Sequence, residues 1–126
     1  MYQRNLKAYQ KAQVGTSKEK LLLMLYDGAI KFAETAKKAI EDGDIKAKGE
    51  NVNNALAIVH ELMNTLNHKV NPELCGNLEA LYLFVSDELS DANINCDVSK
   101  IENSVKILKT IRNGFKDAAD SLQKVV

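Results

Sequence analysis

Apolar side chains recur three and four positions apart through most of this chain, and the run from Leu21 to Ile40 shows the pattern most clearly. Leu22, Leu25, Tyr26, Ala29, Phe32, Ala33, Ala36 and Ile40 share one face of a helix. At about 100° per residue, Leu23, Met24 and Ile30 point well away from the centre of that face. The first two turns, Leu21 through Tyr26, are apolar nearly all round, so this helix demands cover on two sides.

Thr16-Ser17-Lys18-Glu19 fits a capping box that opens this helix, and Asp42-Gly43-Asp44 closes it. Asp44 then caps a second stripe of Ile45, Val52, Ala55, Val59, Leu62 and Leu66, with Leu56 and Met63 on one flank and Gly49 a weak point. Asn71 as cap and Pro72 as first helical residue begin a third helix, which carries Leu74, Leu78, Leu81, Val85, Leu89 and Ala92. Leu83 lies almost opposite these. Asp97 caps a fourth helix, with Ile101, Val105, Leu108, Phe115, Ala119 and Leu122 facing inward and Ile107, Ile111, Gly114 and Ala118 along one edge. No alternating strand pattern or internal repeat competes with this reading.

The spacing predicts helices over about 16–42, 44–68, 71–93 and 97–124, joined by short connections. Such a chain forms an all-α, antiparallel up-down four-helix bundle. Residues 1–15 hold only scattered apolar side chains, among them Tyr2, Leu6, Tyr9 and Val14, too few to fold alone. They predict an amino-terminal arm that docks on the bundle formed by 16–126.

A chain of 126 residues is one domain and buries roughly two-thirds of its unfolded surface. Seventeen basic residues balance seventeen acidic ones, which argues against a nucleic-acid binder or a polybasic membrane anchor. The balance is uneven along the chain. Arg4, Lys7, Lys11, Lys18 and Lys20 face only Glu19 in residues 1–20, consistent with a solvated basic arm or with one that folds back on an acidic body. The start lacks an apolar signal core, and the longest apolar run, six residues, is too short to span a membrane. Cys75 and Cys96 sit near opposite ends of one predicted helix, about 30 Å apart, beyond disulfide reach. Reduced thiols and a cytoplasmic location are the expectation.

Chemistry is sparse. A metal site in a bundle needs inward Glu with Glu-x-x-His, but Ala57 and Thr65 stand three residues before His60 and His68. Neither cysteine has a base placed near it by sequence, and no Gly-rich phosphate loop is present. No catalytic, metal or cofactor residue is expected. Two alternatives stay open. His60 projects away from its stripe as in phosphotransfer bundles, although Met63 and Asn64 stand where those domains carry a lysine and a glycine. A self-associating structural bundle, closing a weak homodimer, is the other.

What remains is a surplus of apolar surface. Leu23, Met24, Ile30, Leu56, Met63, Leu83, Ile107 and Ile111 lie at or beyond the stripe edges, and Gly114 with Ala118 continues the last edge as a shallow trough. Each alone is ordinary. Together they suggest grooves that accept amphipathic helices. Burying ~500 Å² there would contribute about 12 kcal/mol before ordering costs.

At LLLMLYDGAIKF (Leu21–Phe32) the chain resembles the FliS family of flagellin export chaperones. Ala8-Tyr9-Gln10, Glu50–Leu62, Asn77–Val85, and Ile101, Val105, Leu108, Arg112 and Ala118 continue the resemblance in order. Three features depart from it: Ser17-Lys18 replaces the usual Ser/Thr-Pro opening, Phe115 stands for a frequent tryptophan, and the loop at Lys69–Pro72 is compact. The resemblance implies a non-enzymatic, cytoplasmic chaperone that binds the disordered carboxy-terminal segment of flagellin before export. It implies an arm, with Leu6 and Tyr9 as candidates, that covers apolar surface in the free protein. Whether the loaded chaperone also touches a component of the export gate stays open.

Overall fold

The computed structural model describes residues 18–117 and 125–126, and among these it contains four helices and no strand. They are α1 (Lys18–Asp42), α2 (Ile45–Asn64), α3 (Pro72–Asn95) and α4 (Val98–Asp117). Each packs on its neighbours in the chain, and α1 closes the ring against α4. With connections this short, successive helices run antiparallel, giving the up-down bundle that the periodicity predicts. The predicted ends of the first helix at Thr16 and of the fourth beyond Asp117 lie outside the described residues. The second helix stops at Asn64, four residues earlier than predicted.

The turns follow from local chemistry. Gly43 takes a positive φ of 73°, its N–H donating to Ile40 O (3.1 Å) while Asp44 N–H donates to Ala39 O (2.8 Å). This is a Schellman stop, and glycine adopts its left-handed residue without strain. Asp44 Oδ1 accepts from Ala47 N–H (3.0 Å) and Asn71 Oδ1 from Leu74 N–H (3.1 Å), so both predicted caps form. Asp97 Oδ1 accepts from the amide and hydroxyl of Ser99, bonds that hold its carboxyl below the usual carboxylate range. Cys96 ends α3 in the same left-handed conformation, φ 52°, at a position where glycine is the ordinary choice. No basic residue of α3 itself faces its last turn, and Lys48 of α2 supplies one from across the seam. Its Nζ donates to Asn93 O (2.7 Å) and Cys96 Sγ (3.3 Å), placing a positive charge on the negative end of the helix.

The core is tightest between α1 and α2, the most extensive interface. Ala29, Ala33, Ala36 and Ala39 on α1 are all buried, and their small side chains let the α2 backbone approach closely. Larger groups fill the centre: Ile58, Leu62, Tyr82, Leu89, Ile101, Leu108 and Phe115. Val125 is also buried, and its carbonyl accepts from Asn67 N–H, pinning residues 125–126 over the α2–α3 loop.

One polar pair sits inside this apolar volume. The hydroxyls of Tyr26 on α1 and Tyr82 on α3 hydrogen-bond each other across the bundle's diagonal. The Tyr26 ring also packs at a tilt on Phe115, centroids 6.3 Å apart. Burial pushes both phenols above the ordinary tyrosine range.

Two consequences are measurable. Tyr26→Phe orphans the Tyr82 hydroxyl and should cost about 1–3 kcal/mol in urea unfolding, whereas Tyr26→Phe/Tyr82→Phe should fall within about 1 kcal/mol of wild type. Equal, additive losses would show that the hydroxyls do not depend on each other. Because the folded phenols resist ionisation, their contribution is full below the unfolded tyrosine value of 10.0 and declines as pH rises past it. The double variant should lose less stability between neutral and strongly alkaline pH.

Candidate functional site

The stretch Ala80–Val85 on α3 is apolar at six consecutive positions, so no rotation of the helix buries all of it. The structure turns Tyr82 and Val85 into the core and leaves Leu81, Leu83 and Phe84 at 39%, 49% and 47% exposure. Their setting follows from the α3–α4 register. Lys100 Nζ lies 3.5 Å from Glu88 and 3.3 Å from Asp91, and Asn103 donates to Glu88 Oε2 at 3.4 Å. One turn further along each antiparallel helix, Ile107 comes level with Phe84, and a turn beyond that Ile111 with Leu81. Leu81 and Phe84 therefore stand exposed on α3 level with part-buried Ile107 on α4, an apolar strip along the outside of the α3/α4 pair. Gly114 lies further along α4, and a Cβ built on it would meet nothing within 4 Å. A helical glycine costs about 1 kcal/mol against alanine, and no packing within the described residues requires it here.

A second apolar opening lies on α1. Leu21, Met24, Leu25, Gly28 and Phe32, spaced three and four apart, line a hollow of about 290 Å³, with Asp27 and Lys31 at its rim. Met24 is 36% exposed there. A larger furrow of about 640 Å³ between α1 and α4 is of different character, lined by Glu34, Lys37, Glu102, Lys106, Lys109 and others. Ion pairs Glu34–Lys109 (3.3 Å) and Lys37–Glu102 (3.4 Å) cross it, and Arg112 clasps Asp27 at one end. The two charged residues that carry part of the sequence resemblance, Asp27 and Arg112, are thus partners of each other. This seam offers an apolar helix little.

The sequence-derived candidates divide accordingly. Met24 and Leu83 are exposed; Leu23, Leu56, Met63 and Ile107 are part-buried at the edge of the core; Gly114 is open. Ile30 and Ile111 are core residues, at 8% and 9% exposure, and must be withdrawn from the surplus surface. Each helix of a ring has two neighbours, and these close the flanks of its stripe: α4 covers Ile30, which lies between Asp27 and Glu34, and α3 covers Ile111. Leu81 errs the other way, predicted inward and found exposed, with Tyr82 in the core instead. Ile45, also predicted inward, is the first residue of α2 and stands exposed beside the turn. Leu6, Tyr9 and Ala118 lie outside the described residues. Phe84, Leu21 and Gly28 were missed; the 21-24-28-32 spacing was the available signal for the hollow.

His60 Nε2 is engaged by Ser86 Oγ at 3.1 Å on the α2/α3 seam, and His68 pairs with Glu79 at 3.2 Å. The first links α2 to α3, and the second ties the α2–α3 loop to α3. Cys75 is buried, its thiol against Asn67 O, while Cys96 is exposed. Among the described residues, no group of His, Cys, Asp or Glu is arranged to hold a metal ion, and no helix is long and apolar enough to cross a membrane.

Comparison with known proteins identifies the family and the fold. Residues 1–122 match the family model of the flagellar protein FliS. The flagellar secretion chaperone FliS of Bacillus subtilis is 36% identical over 118 residues, covering 93% of this chain and 87% of that protein. Its counterpart in Vibrio cholerae is 29% identical, covering 88% and 85%. A crystal structure described as a flagellar chaperone from bacteria superposes with a TM-score of 0.76 at 20% identity, covering 93% of this chain and 98% of that one, so the fold is shared. This chain belongs to the FliS family, whose matched relatives are flagellar secretion chaperones.

Proposed function

We propose that this protein is a cytoplasmic, non-enzymatic chaperone that holds the carboxy-terminal segment of flagellin in its apolar grooves. The observation that carries the proposal is the exposure of Leu81 and Phe84 on α3 beside the α4 edge that runs from part-buried Ile107 to open Gly114. A pair of adjacent helices, with large apolar side chains exposed on one and a glycine on the other, suits a third amphipathic helix. The α1 hollow around Met24 and Gly28 gives a second apolar footing on the same molecule. Flagellin's terminal segment forms amphipathic helices in the filament and, left free, would self-associate. Held here, it is kept from premature polymerisation and remains competent for export.

Wrapping suits release. A segment that folds on binding spreads contact over a large area while losing part of the gain to its own ordering, so the complex stays separable. The amino-terminal arm fits the same scheme as an internal cover, with Leu6 and Tyr9 shielding apolar surface until cargo arrives.

Leu81→Glu/Phe84→Glu should weaken binding of the flagellin carboxy-terminal segment more than tenfold, at least about 1.4 kcal/mol, measured by calorimetric titration. Both side chains point outward, so thermal unfolding should stay cooperative. Undiminished affinity in a folded variant would remove α3/α4 as the cargo groove. Tyr9→Ala should increase the fluorescence of an apolar-surface dye with no loss of helicity, and an unchanged signal would argue against the arm as cover.

A further inference from the structure

α3 carries Glu73, Glu79, Asp87, Glu88 and Asp91 and not one lysine or arginine. This imbalance lies on the same helix as the bare leucines and phenylalanine. Local compensation is partial. His68 faces Glu79, and Lys100 is shared between Asp91 and Glu88, whose carboxylates hold its ammonium above the usual lysine range. Asp87 is exposed three residues beyond Phe84 and four beyond Leu83, so it stands one turn along the same outer face. Asp91 follows one turn later, half-exposed.

A helix laid against Leu83 and Phe84 passes beside these carboxylates. If its flanks carry glutamate or aspartate, like charges meet at the rim of an apolar contact; if they carry lysine or arginine, the rim is complementary. We infer that the outer face of α3 selects a partner helix whose apolar stripe is flanked by basic residues. The inference rests on the cargo-binding reading above and adds to it the charge of the helix that sits on α3. The α1/α4 seam cannot impose this preference, because acids and bases alternate there in cross-helix pairs.

The probe is a pair of designed peptides, each about 18 residues long with one leucine stripe at helical spacing, flanked by lysines in one and glutamates in the other. Each is titrated into the full chain by fluorescence anisotropy. At ~50 mM salt the lysine peptide should bind about tenfold more tightly, and the margin should shrink to about twofold at ~500 mM as screening sets in. Asp87→Asn/Asp91→Asn should cut the low-salt margin to below about threefold. Phe84→Ala should weaken both peptides together. Equal binding of the two peptides, or a margin that survives the double substitution, overturns the inference. The flagellin carboxy-terminal segment is titrated on the same samples. Its binding without a charge margin overturns only the α3 preference, and its failure to bind overturns the cargo reading instead.

Discussion

A ring of four helices can cover only part of the circumference of each, and this limit governs the whole molecule. α2 and α4 meet it with stripes of ordinary width and polar or charged outer faces, and α1 departs from it in its apolar first turns, where Met24 stays exposed. α3 does not meet it either, because Ala80 through Val85 is apolar at every angle. Whichever way α3 turned, some of Leu81, Tyr82, Leu83, Phe84 and Val85 would face water. The fold resolves the conflict by taking in Tyr82, whose ring fills the centre and whose hydroxyl finds Tyr26, and by leaving three large side chains outside. Exposure of this kind forgoes burial that a helix docked there would supply.

The polar contacts are distributed to match. Three ion pairs line the α1/α4 seam, His60 ties α2 to α3, and His68 ties the loop between them to α3. Surface pairs of this sort add little to stability. Their larger effect is to make those faces unattractive to an apolar partner. Among the described residues, the ion pairs of the outer α3/α4 face gather at Lys100, and further along stand Leu81, Phe84, Ile107 and Gly114. On the proposed reading, preference for one face would arise from charge placed elsewhere as much as from apolar groups placed there.

The fold was legible from periodicity and caps, because Asp44, Asn71-Pro72 and Asp97 are short-range signals that tertiary packing does not override. The exposed apolar surface was legible only in part. Met24 and Leu83 lie far enough from their stripes that angle alone finds them. Ile30 and Ile111 do not, since the closeness of the neighbouring helix decides whether a flank is covered, and that is a property of the assembled ring. Leu81 was misplaced because α3 is the least amphipathic of the four helices: a run with no polar interruption fixes no phase, and a shift of one residue, about 100°, exchanges Leu81 for Tyr82. The buried tyrosine pair could not be foreseen from either residue alone.

The most direct test of the account is amide hydrogen exchange across the chain, with and without the flagellin carboxy-terminal segment. The account predicts binding with new protection concentrated at Leu81–Phe84 and Ile107–Gly114, and at Leu21–Phe32 where the α1 hollow opens. Protection confined to the α1/α4 furrow around Lys37 and Lys109, or no change anywhere, would contradict it.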